Sequence, residues 1–173
     1  RGFDFILACV HLIFGDEKED RTEEMRHLHG MLDALQRACG SSERDIILVG
    51  DFNLAPKDCP WIGAGDWVPI VPATAPTTIF GSSYDNIWIP SNGTLSNGEW
   101  TGKSGVEMVD HEFFPATANE EYSTESALTA RRECSSVLSD HRPVWATFKS
   151  RIDDDGGTIS GVDNAIQDAV LET

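Results

Sequence analysis

Four short segments of the 173-residue chain set polar, reactive side chains at the ends of apolar runs: Val10-His11-Leu12, Gly50-Asp51-Phe52-Asn53, Tyr84-Asp85-Asn86-Ile87-Trp88 and Ser139-Asp140-His141-Arg142-Pro143. Asp51 and Asn53 stand two apart directly after the aliphatic run IILV. On an extended chain such a pair points to one side, so both oxygens can face one ligand. A turn closed by Asx hydrogen bonds is the alternative reading of the same residues. Asp140 and His141 are adjacent and cannot face the same way on a straight strand, but a turn ahead of Pro143 lets both line one rim. Alone, His11 reads as a core or rim histidine and Asp85 as a residue that starts a strand. Together the set suits a definite chemistry. Asp51, Asn53 and Asp140 offer the hard oxygens that a divalent cation prefers, and a histidine beside a carboxylate keeps its proton longer. Attack on an anionic phosphodiester needs charge neutralisation, an oriented water and a protonated leaving group.

The elements that must position these residues follow from the hydrophobic pattern. Phe3 to Leu12 reads as a buried strand, followed by a polar loop over 15–20. Met25, Leu28, Leu32 and Leu35 recur at helical spacing, which predicts a helix over 21–39. Asp20 and Glu23 form its capping box, and Gly40 its stop. A central strand is predicted over 45–49. The stretch 51–76 reads as a long loop with one short strand at 67–71. Thr77 to Phe80 and Asn86 to Ile89 read as strands of a hairpin around 81–83. A loop over 92–105, a strand over 106–109, a helix over 124–134 and a closing strand over 143–148 complete the order. Interleaved strands and helices argue for an α/β class. Because strands pair up after residue 76, a layered sandwich with two packed mixed sheets suits the order better than a doubly wound sheet. After residue 149 the run Asp153-Asp154-Asp155-Gly156-Gly157 marks 150–173 as an acidic tail, in which Val162, Ile166 and Val170 allow a short helix.

Composition narrows the classes. Thirteen basic against 29 acidic residues give a net charge of −16, so the basic footprint of a strong nucleic-acid binder is missing. An enzyme that reaches a phosphate through a bound cation remains compatible with that balance. Cys9, Cys39, Cys59 and Cys134 are widely spaced without a CxxC pair, which points to neither a zinc site nor a disulfide framework. Cys9, in an apolar strand pattern, is expected to be a small buried thiol. No apolar run is long enough to span a bilayer, and the compartment stays open.

Taken in order, strand-His, GDFN, YDNIW and SDHRPVW resemble the endonuclease/exonuclease/phosphatase superfamily, and within it the deoxyribonuclease I-like branch. The match covers residues 3 to 149 and implies two β-sheets packed face to face between helical layers, with the active site at one rim. It implies that Asp51 positions or deprotonates the attacking water and that Asn53 holds a phosphate oxygen. Asp140 would be the metal-site aspartate, sharing Mg2+ (or Mn2+) with Asp51 and Asn53. His141 would contact the scissile phosphate, with Asp85 orienting it, and His11 would be the acid for the leaving oxygen. Thr77 and Thr78 resemble a threonine pair near the phosphate. In this family the principal metal-ligand glutamate comes from an N-terminal third, together with an asparagine and a partner acid for the first histidine. The resemblance therefore implies residues 1–149 as the C-terminal portion of the domain, its open sheet face covered by the missing N-terminal segment or a second copy. The expected activity is metal-dependent phosphodiester hydrolysis, DNA being the expected substrate. The alternatives are a phosphatase or phosphodiesterase on lipid or small-molecule phosphates, and a non-catalytic binding module of the same fold.

Overall fold

The computed structural model describes residues 3, 5–15, 17–39, 45–61, 66–92, 98–118 and 124–151. The tail predicted beyond them, with its possible helix, lies outside the described residues. Strand β1 (Ile6–His11) runs parallel to β2 (Ile46–Asp51). A parallel pair needs a crossover, which helix α1 (Lys18–Cys39) provides. Strand β3 (Trp67–Pro69) and strand β4 (Asp85–Pro90) extend the sheet antiparallel to β2, in the order β1-β2-β4-β3. Strand β5 (Trp100–Val106) and strand β6 (Val144–Phe148) pair antiparallel as a second sheet. The architecture is an α/β layering with two sheets, the first mixed and the second purely antiparallel rather than mixed.

Alternation along the central strands builds two cores. Ile46 and Leu48 of β2, with Trp88 of β4, face Met25, Leu28 and Leu32 of α1. Ile47 and Val49, with Ile87 and Ile89, face Trp100, Val106, Val144, Ala146 and Phe148 of the second sheet. A strand buried on both faces reads as an unbroken apolar run, and IILV is one. β1 is an edge strand. Its Ile6, Ala8 and Val10 pack toward α1, while Leu7 is 58% exposed and Cys9 and His11 are also exposed. The thiol expected inside therefore lies outside, on the face the second sheet leaves uncovered.

Other departures have local causes. α1 starts at Lys18, not Arg21; Asp20 sits in its first turn beside the positive end of the helix dipole instead of capping it. Residues 100–105 form strand, not loop. Gly102 (φ +79°) lies within the register shift between Trp100 and Ser104, and a Cβ on Gly105 would meet the Trp145 ring at 2.9 Å. Here glycines that read as loop residues serve a bulge and a close packing contact. The strand expected over 106–109 divides between the end of β5 and a short helix α2 (Val109–Phe113). Helix α3 (Glu125–Val137) appears where one was expected, its Thr124 hydroxyl accepting the Ala127 N–H as an N-cap.

Candidate active site

Register places the first three residues. His11 stands opposite Asp51, and Asp51 opposite Asp85, in one row across β1, β2 and β4. Asp51 shares a face with Ile47 and Val49, so the row emerges where the inter-sheet core ends. Gly50 lets the strands close at this point. A Cβ there would stand 1.9 Å from the Val10 carbonyl oxygen, and its φ is +153°.

The fourth segment arrives through a pairing that the sequence did not suggest. Thr77 to Phe80 forms no hairpin with β4. Thr78 instead bridges His141, the Ile79 N–H donates to the Asp140 carbonyl at 2.9 Å, and the Arg142 N–H donates to the Thr77 carbonyl at 2.8 Å. The threonine hydroxyls take up the intervening turn: that of Thr77 accepts from the Tyr84 and Asp85 N–H groups, and that of Thr78 from Ser82. Beneath the segment, the Arg142 guanidinium donates bidentately to Asp110, Nε to Oδ1 at 2.8 Å and an Nη to Oδ2 at 2.7 Å. It also donates to the Pro76 carbonyl, and the Thr117 hydroxyl donates to Asp110. Burial works against the Asp110 charge, but Arg142 and Thr117 hold its carboxyl below the usual carboxylate range.

His141 Nδ1 donates to both Asp85 carboxylate oxygens, at 3.0 and 2.9 Å. Its Nε2 lies 3.7 Å from Asp51 Oδ2, which is 3.6 Å from His11 Nε2. Asp51 thus sits between two imidazoles. Burial opposes a charge on His141, yet the Asp85 carboxylate outweighs it, helped by Asp51 and Asp140, and raises its pKa. Burial also pushes the Asp85 carboxyl above its usual range, against the pull of Thr77 and His141.

Asp51 Oδ1 accepts the Asn53 N–H at 2.8 Å, and Asn53 adopts φ +47°. This is the Asx turn, so Asp51 and Asn53 are not a pair on one extended chain. The buried Asn53 amide donates to the Leu12 carbonyl at 2.8 Å, tying the end of β2 to the end of β1. It still borders the cavity.

That cavity, about 800 Å³, is lined by His11, Asp51, Asn53, Thr78, Asp85, Asp140 and His141. Seven of the eight residues proposed from sequence therefore meet at one rim; Thr77 lies buried beneath the turn. Sequence reasoning missed Phe14, Phe80, Ser82, Tyr84 and Ser139, which complete the lining. Phe14 and Phe80 are 81% and 47% exposed, and nothing in their spacing marks them. Ligand atoms of Asp51, Asp85 and His141 lie within 4.8 Å of one another, but Asp85 and His141 are hydrogen-bonded to each other. Asp140 lines the cavity without joining that trio. The carboxylate and amide oxygens of Asp51, Asp140 and Asn53 on the same cavity are the donors of the kind a hard divalent cation takes.

No protein-family model matches the chain. It is similar to a protein named deoxyribonuclease from Thioalkalivibrio sp. (strain K90mix), with 29% identity over 157 residues. The alignment takes in 86% of this chain, and the chain spans 40% of that relative's length.

Proposed function

We propose that the chain is the rim-forming part of a metal-dependent phosphodiesterase acting on DNA, with the deoxyribonuclease I-like architecture of the endonuclease/exonuclease/phosphatase family. The observation that carries this is the row His11–Asp51–Asp85 closed by His141, two imidazoles bracketing one carboxylate at the mouth of a cavity. The similarity to a protein named deoxyribonuclease supports a nuclease over a phosphatase.

In this reading Asp51 Oδ2 orients the attacking water and takes its proton as the new P–O bond forms. His11 Nε2 gives a proton to the leaving oxygen as the old bond breaks. His141, held by Asp85 through Nδ1, presents Nε2 to a non-bridging phosphate oxygen, and Asn53 and Thr78 hold another. Asp140, Asp51 and Asn53 would hold Mg2+ or Mn2+, which when bound neutralises charge on the phosphate. The exposed outer face of β1 is, in the same reading, covered by a further polypeptide segment or by a second copy.

Nicking of supercoiled plasmid tests the proposal. Nicking should require Mg2+ or Mn2+, stop with EDTA and fall about a thousand-fold in His141→Ala. Nicking that survives either treatment overturns the assignment. Should this chain be silent, the same assay on the span matching the full relative decides the matter, and silence there overturns it too.

A further inference from the structure

A second cavity of about 380 Å³ adjoins the first, and Asn53, Ser82 and Tyr84 line both. Its outer wall carries Lys18, Arg21 and Lys57 against a single acid, Asp58. Three of the chain's thirteen basic residues thus converge on one concavity, in a molecule with net charge −16. Arg131 and Arg142, by contrast, are buried and bonded to neighbouring groups. The three in this groove differ in how far they are engaged. Lys57 is exposed and has no ion pair among the described residues; Lys18, half exposed, pairs with Asp58 at 2.7 Å. Arg21 donates through one Nη to the Gly15 carbonyl, while its Nε has no hydrogen-bond partner among the described residues.

We infer that this groove is a second phosphate subsite, which takes the phosphate next to the scissile one on the same strand. The inference rests on the proposed phosphodiesterase site and adds to it a contact with the strand one phosphate away from the scissile one. Lysine and arginine side chains around a concavity concentrate positive field where a phosphate would lie. Tyr84 lines both cavities, so the nucleoside between the two phosphates would lie beside it, and an aromatic side chain there suits a base by stacking. A local basic subsite also explains how so acidic a chain holds a polyanion: the interaction is confined to one groove.

Fluorescence anisotropy of a labelled single-stranded oligonucleotide in EDTA, over a salt series, tests this, with bis(p-nitrophenyl) phosphate as a single-phosphate probe followed by NMR shifts at the site. Lys18→Gln/Lys57→Gln should weaken oligonucleotide binding about ten-fold and lower the salt slope by about 0.7 for each phosphate that is no longer neutralised. Binding of the single-phosphate probe should be unchanged, and Lys18→Arg/Lys57→Arg should restore the oligonucleotide affinity. His141→Ala should weaken both probes. Oligonucleotide binding that is indifferent to the lysine variants overturns the second subsite, even where His141→Ala still acts. Lysine-dependent binding with no effect of His141→Ala upholds the groove and sinks the reading of the first site instead.

Discussion

His141 concentrates the chemistry of the site, because its charge depends on the carboxylates around it, Asp85 first. Burial penalises the imidazolium, and the Asp85 carboxylate more than offsets that penalty. A histidine pKa raised above the ordinary value of about 6.5 gives a contribution fully present below that value and lost as pH rises through the folded pKa. Phosphodiester binding through Nε2 should therefore weaken as pH rises through the raised His141 pKa. Asp85→Asn should lower the His141 pKa and move that loss to lower pH, and long-range NMR titration of the imidazole in both proteins checks it. An unchanged His141 pKa would show that Asp85 does not hold the proton. Most of this site was legible as residue types, since carboxylates and histidines at strand ends invite a shared ligand. The role of Asn53 was legible as two alternatives, and the Asx turn won because its N–H reaches Asp51 in a left-handed conformation that asparagine tolerates.

At the scale of elements, the site depends on two junctions. One is the close approach of β1 and β2 at Gly50. Gly50→Ala would drive a methyl group into the Val10 carbonyl, so it should cost at least about 2 kcal/mol in denaturant unfolding. It should also reduce activity by displacing Asp51. The other is the buried pair Arg142–Asp110, 4% and 1% exposed, which anchors the segment bearing Asp140 and His141 to α2. Removing one partner of a buried pair leaves an uncompensated charge, so Asp110→Ala should destabilise by about 3–5 kcal/mol. Asp110 titrates low, so its contribution is present above the ordinary aspartate value and is lost as pH falls through the depressed one. The long elements α1, β2, α3 and β6 were readable from periodicity. The hairpin at 77–89 was misread because two threonine hydroxyls absorb the backbone donors of the turn, a local competition that β propensity does not register. Arg142 gave no signal either, since a buried arginine and an exposed one look alike until their partner is known.

Across the whole molecule, charge and apolar surface are unevenly distributed. Phe5, Leu7 and Cys9 stand exposed along one side of β1, beside the inter-sheet core. A surface of this kind predicts dye binding and concentration-dependent self-association of the isolated chain. Leu7→Glu should reduce both in anilinonaphthalene fluorescence and light scattering. A monomer that binds no dye would show the face to be covered within the chain itself. The layering was legible as a class and an open sheet face was expected from the family resemblance, but its place on β1 was not legible: the pattern FDFILACVHL looks buried on both sides whether or not a second layer reaches it. Among the described residues no helix is long and apolar enough to cross a membrane.

The row formed by His11, Asp51 and Asp85 has a consequence for how such a chain can vary in length. Each of the three is located by counting along its own strand, and side chains change face with every residue counted. Gain or loss of one residue inside β1, β2 or β4 would turn a site residue into the core or out of the row unless a bulge absorbed the change. The connection from α1 to β2 and the one from β4 to β5 bear no such count. Variation among descendants of this sequence should therefore accumulate as length changes in the connections, with the three strands holding constant length.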